Sequence, residues 1–162
     1  LVKVLNVSEA AELIINYLSR GYVLACVGTY LRRDDYLALY LCRRLRNLGI
    51  EVVECEYGLE NCIDAISELR PRGLVVIDAL VGDTPVGSII ASGIDELSES
   101  LLATTHSIPV KLVVKYLMTV YDVEDVVFIG IRAKDLGFGE GLSTEVREVI
   151  DSLCSELVKR LH

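Results

Sequence analysis

The 162-residue chain has no tryptophan and no glutamine, one methionine, three prolines and two histidines. Aromatic residues make up only 6%, so a core has to be built from Val, Ile and Leu. The longest apolar runs fall well short of the ~18 residues that a membrane-spanning helix requires, and residues 1–7 lack the pattern of a signal peptide. Basic charge is also short, with 16 Lys and Arg against 24 Asp and Glu, a net charge of −8 and a pI near 4.8. A phosphate-tracking protein shows the opposite balance, so nucleic-acid binding is excluded as the leading reading. No GxSxG elbow occurs and no Walker-type lysine follows an apolar run, while Gly28-Thr29 lacks the later glycines of a dinucleotide fingerprint. The five cysteines contain no CxxC pair, which removes a zinc ribbon and a thioredoxin-type redox site. Their odd number and apolar surroundings lead to the expectation of reduced, mostly buried thiols in a cytoplasmic protein. The lack of Gln and the excess of Arg over Lys point to a thermophilic source.

What is present is a regular alternation of apolar runs and amphipathic stretches. Ser8 is the expected cap of a helix to about Arg20, stopped by Gly21. Tyr22–Val27 (YVLACV) is a continuous apolar run of strand length ending at Gly28. Asp34 and Asp35 open a helix that ends at Gly49, with Arg43, Arg44 and Arg46 in its last turns, a charge order that suits the helix dipole. Ile50–Glu54, Leu74–Ile77, Ser88–Ala91 and Asp125–Ile131 read as further strands. Leu59–Arg70, Pro109–Tyr121 and Ser143–Leu161 read as helices, with a flexible glycine loop at 137–141. Apolar, non-alternating strands between helices predict an α/β domain: a three-layer αβα sandwich on a mostly parallel sheet with one antiparallel edge strand.

Ligands of such sheets gather beyond the carboxyl ends of the strands, near the point where strand order reverses. That rule selects Asp34 and Asp35 after the first long strand, Glu54 and Glu56 after the next, Asp78 at the end of the third, and His106 in the loop before Pro109. Two carboxylates and an imidazole form an O,O,N set that suits a borderline divalent ion such as nickel or zinc, or acid–base chemistry. Each also has a structural explanation: helix capping for the Asp pair, turn formation for Asp78, a local hydrogen bond for His106.

At these residues the chain resembles a known family, the hydrogenase maturation endopeptidases. The similarity runs from Tyr22 to about Leu161. It rests on the strand and acidic turn Cys26-Val27-Gly28-Thr29 to Asp34-Asp35, on Glu60-Asn61 and Glu68-Leu69-Arg70-Pro71, and on Ile77-Asp78-Ala79 with Pro85-Val86-Gly87. It continues in Thr104-Thr105-His106-Ser107-Ile108-Pro109, Ile129-Gly130-Ile131 and Gly141-Leu142-Ser143. The resemblance implies a single domain over 1–162, with residues 1–21 an added N-terminal helix and 22–162 the protease-like core. It implies an endopeptidase that removes the C-terminal extension of a nickel–iron hydrogenase large-subunit precursor after nickel insertion. Asp35, Asp78 and His106 would contact nickel carried by that substrate, with zinc or cadmium as surrogates, and Glu54 would help position the water or the scissile segment. A metal-polarised and a carboxylate-activated water both remain open as nucleophile. The chain departs from the family at Thr29, at Arg33 and Tyr36 beside the acidic pair, and at Glu54-Cys55-Glu56, all on the substrate-facing rim. The alternative is a non-catalytic metal-binding or assembly module on the same scaffold. No membrane or nucleic-acid partner is expected.

Overall fold

A computed structural model describes residues 2–103 and 108–161. Among the described residues, six strands form one sheet in the order β1-β5-β6-β4-β2-β3. They are β1 (Lys3–Leu5), β2 (Tyr22–Gly28), β3 (Val52–Glu56), β4 (Gly73–Leu80), β5 (Ile89–Gly93) and β6 (Asp125–Arg132). β3, β2, β4 and β6 are mutually parallel, and β5 runs against its neighbours at the far side of the sheet. The short β1, which no sequence pattern announces, pairs antiparallel with β5 and covers its outer edge.

The helices are α1 (Val7–Ser19), α2 (Leu37–Asn47), α3 (Ile63–Leu69), α4 (Val110–Val120) and α5 (Thr144–Leu161). One core cluster joins α1, α2 and α5 to the sheet face bearing Cys26, Val75 and Ile77. The other joins α3 and α4 to the face bearing Val27, Val76 and Phe128. The expected three-layer α/β architecture is therefore present, and both sheet faces are covered as a parallel sheet requires.

Several local details differ from the sequence reading. Asn6, not Ser8, caps α1: its side chain accepts from the Glu9 amide at 2.7 Å while the Glu9 carboxylate accepts from the Asn6 amide at 3.0 Å. Asp34 and Asp35 lie in a 3-10 turn, Arg33–Tyr36, that precedes α2 rather than opening it. β3 begins two residues later than expected and ends at Glu56, because Ile50 is still tied to Leu45 in the turn after α2. β4 runs two residues beyond Asp78, continuing along β6 after its pairing with β2 stops at Ile77.

Cysteine chemistry also differs. Cys26 is joined to Cys42 and Cys55 to Cys62, with Cα separations of 6.3 and 5.3 Å, and Cys154 alone is free and buried. The expectation of reduced thiols fails for these four residues because the fold brings strand and helix cysteines to bridging distance, which spacing along the chain does not display.

Candidate active site

β2 leads through α2 to β3 on one side, and β4 lies on its other side, so the order reverses between β2 and β4. The crevice beyond their carboxyl ends is the place this topology provides for a ligand. At the end of β2, the 3-10 turn folds back onto Gly28. The Asp35 carbonyl oxygen accepts from the Thr29 amide at 3.2 Å and lies 2.0 Å from where a Cβ on residue 28 would stand. Glycine is required there because any side chain would displace the turn that carries the acid. Asp35 is fully buried, with its Oδ1 only 3.8 Å from the same position.

Asp78 sits on the adjacent β4, level with Val27 by the register Cys26 to Ile77. It is 2% exposed, and its Oδ1 accepts from the Ala79 amide at 2.8 Å. The two acids chosen from the sequence are thus both buried and both at the β2–β4 switch point. His106 lies outside the described residues. Its loop departs from Ala103, whose amide donates to the Ala79 carbonyl at 3.0 Å, and ends at Pro109, the N-cap of α4. The segment leading to His106 is therefore bonded beside Asp78. Among the described residues, no three His, Cys, Asp or Glu side chains group closely enough to hold a metal.

Asp34 has a different task from its neighbour. It is also fully buried, and its carboxylate accepts from the amides of Lys134 and Asp135 at 2.9 Å each. It accepts as well from the amide and hydroxyl of Ser143, both at 2.8 Å. Its own amide donates to the Asp135 carbonyl at 2.9 Å. The acid of the DD pair that points away from the crevice thus clamps the 134–143 loop to the site. Backbone bonds between Arg33 and Gly139 and between Gly139 and Leu31, each 3.0 Å, complete the attachment. The loop expected to be flexible is pinned at both ends. Sequence reading missed this clamp, since Ser143 before a helix looks like an ordinary cap.

Glu54 does not join Asp78. It lies on the α2 face of β3, where Arg43 donates to its Oε1 at 2.8 Å and Arg46 donates to Oε2. Asp78 alternates onto the opposite face, with Leu74, Val76 and Leu80. Burial raises the Glu54 carboxyl, but hydrogen bonds from Arg46 and Arg43 hold it below the usual carboxylate range. Two guanidiniums already occupy this carboxylate, so its geometry is that of an ion pair fixing α2 to β3. The arginine cluster serves the same structural purpose, with Arg44 bonded to Asp151 of α5.

The sequence profile of the HycI hydrogenase maturation proteases matches residues 37–160. The chain is 28% identical over 138 residues to the hydrogenase 3 maturation protease of Escherichia coli K12, covering 83% of this chain and 87% of that protein. It is 26% identical over 148 residues to a putative hydrogenase maturation protease of Methanocaldococcus jannaschii, covering 85% and 86%. The solution structure of the E. coli endopeptidase HycI superposes with a TM-score of 0.70 at 27% identity, over 86% of this chain and 90% of that one. The crystal structure of the HycI protease from Thermococcus kodakarensis shares the fold, with a TM-score of 0.76 at 22% identity, over 92% and 98%. A switch-point crevice holding Asp35 and Asp78, on a scaffold shared with these structures and matched by the family profile over most of its length, places this chain in the hydrogenase maturation protease family, a family of peptidases.

Proposed function

We propose that the chain cuts the C-terminal extension from the large-subunit precursor of a nickel–iron hydrogenase, and that it recognises nickel already carried by that precursor. The observation that supports this most is the pair of buried carboxylates at the β2–β4 switch point, Asp35 in the turn after β2 and Asp78 near the carboxyl end of β4. Carboxylate oxygens facing one crevice are donors of the kind a divalent ion takes. An ion held by the precursor's thiolates and still short of ligands would be met by them. His106, three residues beyond the strand-end contact of Ala103, completes the O,O,N set. Because the ion comes with the substrate, engagement at Asp35 and Asp78 is conditional on metal loading, and cutting follows only on a loaded precursor.

The test is cleavage of nickel-loaded and metal-free precursor by the wild type and by Asp35→Ala, Asp78→Ala and His106→Ala. The reading expects cutting only of the loaded precursor and only by the wild type. A wild type that binds the loaded precursor without ever cutting it would instead mark an assembly module. Nickel, or zinc or cadmium in its place, should also raise the melting temperature of the wild type, by up to about 2.7 kcal/mol of added stability at a hundredfold excess over Kd. The shift should be much smaller for Asp78→Ala. Equal shifts in both proteins remove Asp78 from the site.

A further inference from the structure

Helix α4 is apolar on two faces. Val110, Val113, Val114 and Leu117 pack into the core. On the outer face, Ile108, Leu112, Tyr116 and Val120 recur every fourth residue and are between 39% and 57% exposed. A surface helix normally turns polar residues outward, so an apolar stripe along its whole length calls for something to cover it. The stripe forms one wall of an open groove of about 560 Å³. Glu60 and Ile63, from the 3-10 turn Leu59–Cys62 and the start of α3, stand on the other side. That is room for a segment of chain rather than for one side chain.

Glu60 brings charge to this groove. Its Oε2 is shut off from solvent and has no hydrogen-bond partner among the described residues. The carboxylate lies over Gly58, where a Cβ would stand 1.9 Å from Oε1 and 2.7 Å from Oε2, so this seat exists only because residue 58 is glycine. Buried polar oxygens are nearly all paired in native proteins, and a carboxylate oxygen left over in a groove wall is matched by a donor from outside.

We infer that this groove is a docking site, remote from the cut, for the C-terminal extension of the precursor, which lies in it as an amphipathic helix with its apolar face on α4 and a lysine or arginine on Glu60. The inference rests on the protease reading above and adds where the extension is held and by what chemistry. An apolar stripe at this spacing is the complement of an amphipathic helix, and a carboxylate in the wall is the complement of an ammonium or guanidinium group. Ile108 stands two residues after His106, on the stretch that leaves the strand-end contact of Ala103 and enters α4. A peptide cut at the crevice therefore has this groove beside it on the α4 side. The extension is the part of the precursor with a free end, so it can lie in an open groove that a folded body cannot enter. A second copy of this chain, at a net charge of −8, brings acidic rather than basic charge to Glu60.

The experiment measures kcat and KM on nickel-loaded precursor for the wild type, Leu112→Asp and Tyr116→Ala, both at exposed positions that do not threaten folding. Each variant should raise KM tenfold or more, as the loss of a buried apolar anchor does. Cutting the extension back to a few residues should raise the wild-type KM by a similar factor and erase the difference between the proteins. Replacing the basic residue of the extension by glutamate should weaken the wild type, and Glu60→Lys should restore the lost affinity. Equal KM values in the wild type and Leu112→Asp, or a shortened extension that changes nothing, overturn the docking site while leaving the protease reading intact. A wild type that sediments as a dimer and a Leu112→Asp that sediments as a monomer give the groove to a second copy and overturn it as well. If the wild type cuts no loaded precursor, the protease reading falls. The groove is then decided by fluorescence anisotropy of the extension as a synthetic peptide, which the wild type should bind and Leu112→Asp should not; no binding by the wild type overturns it.

Discussion

Asp34 and Asp35 are neighbours in sequence, equally buried, and committed to different work. Asp34 receives four protein donors from the 134–143 segment, so its charge is consumed in holding that loop. Asp34→Asn replaces an acceptor with a group that must present donors to donors. It should lower unfolding free energy by about 3 kcal/mol, the usual cost of breaking a buried charged network, read by urea denaturation. At Glu54 the expected effect is smaller, because Arg43 and Arg46 are about half exposed and water screens the pair. Its folded-state pKa lies below the unfolded one, so its contribution is present above the unfolded value and is lost as pH falls through the folded value. Glu54→Gln should therefore cost about 1 kcal/mol at neutral pH and flatten the loss of stability below about pH 4.3. An unchanged acid limb would show that the two guanidiniums do not stabilise the folded state. Asp78 was legible as a candidate because it closes an apolar run, and Asp35 because it lies in the acidic turn after one. Glu54 was equally legible and belongs elsewhere, since alternation along β3 turns it towards α2.

At the scale of elements, the two disulfides enclose the segments at the carboxyl ends of β2 and β3. Cys26–Cys42 spans the turn that carries Asp34 and Asp35, and Cys55–Cys62 spans the turn at Gly58. A bridge closing a loop of this first length, 16 residues of separation, stabilises by about 3 kcal/mol through the unfolded state. Reduction, or Cys26→Ala with Cys42→Ala, should lower the melting temperature by roughly 6–12 °C for a chain of this size. A melting curve unaffected by reductant would contradict it. The alternation of helices and strands could be read along the chain because each element's burial pattern is local. The boundaries of β3 and β4 could not, because they depend on where the neighbouring strand stops.

For the molecule as a whole, the net charge of −8 sets its partners. Eight of the 16 basic side chains, Arg43, Arg46 and Arg72 among them, are ion-paired with acids among the described residues, which leaves less cationic charge for a phosphate backbone. Fluorescence anisotropy with single-stranded RNA and duplex DNA at physiological salt should show no specific binding. Micromolar affinity that falls steeply with added salt would refute this and reopen nucleic-acid readings of the crevice. No described helix is long and apolar enough to cross a membrane.

By itself the sequence determined the α/β class, the apolar strands and the placing of Asp35 and Asp78 on the carboxyl side of the sheet, because burial period and turn residues are encoded over a few neighbours. Only the tertiary structure decided that Asp34 binds Ser143, that Glu54 faces α2, and that four cysteines pair. Those outcomes join segments that are separated in sequence or turned to different faces of one sheet, and chain-local chemistry carries no record of which distant groups the fold will superpose.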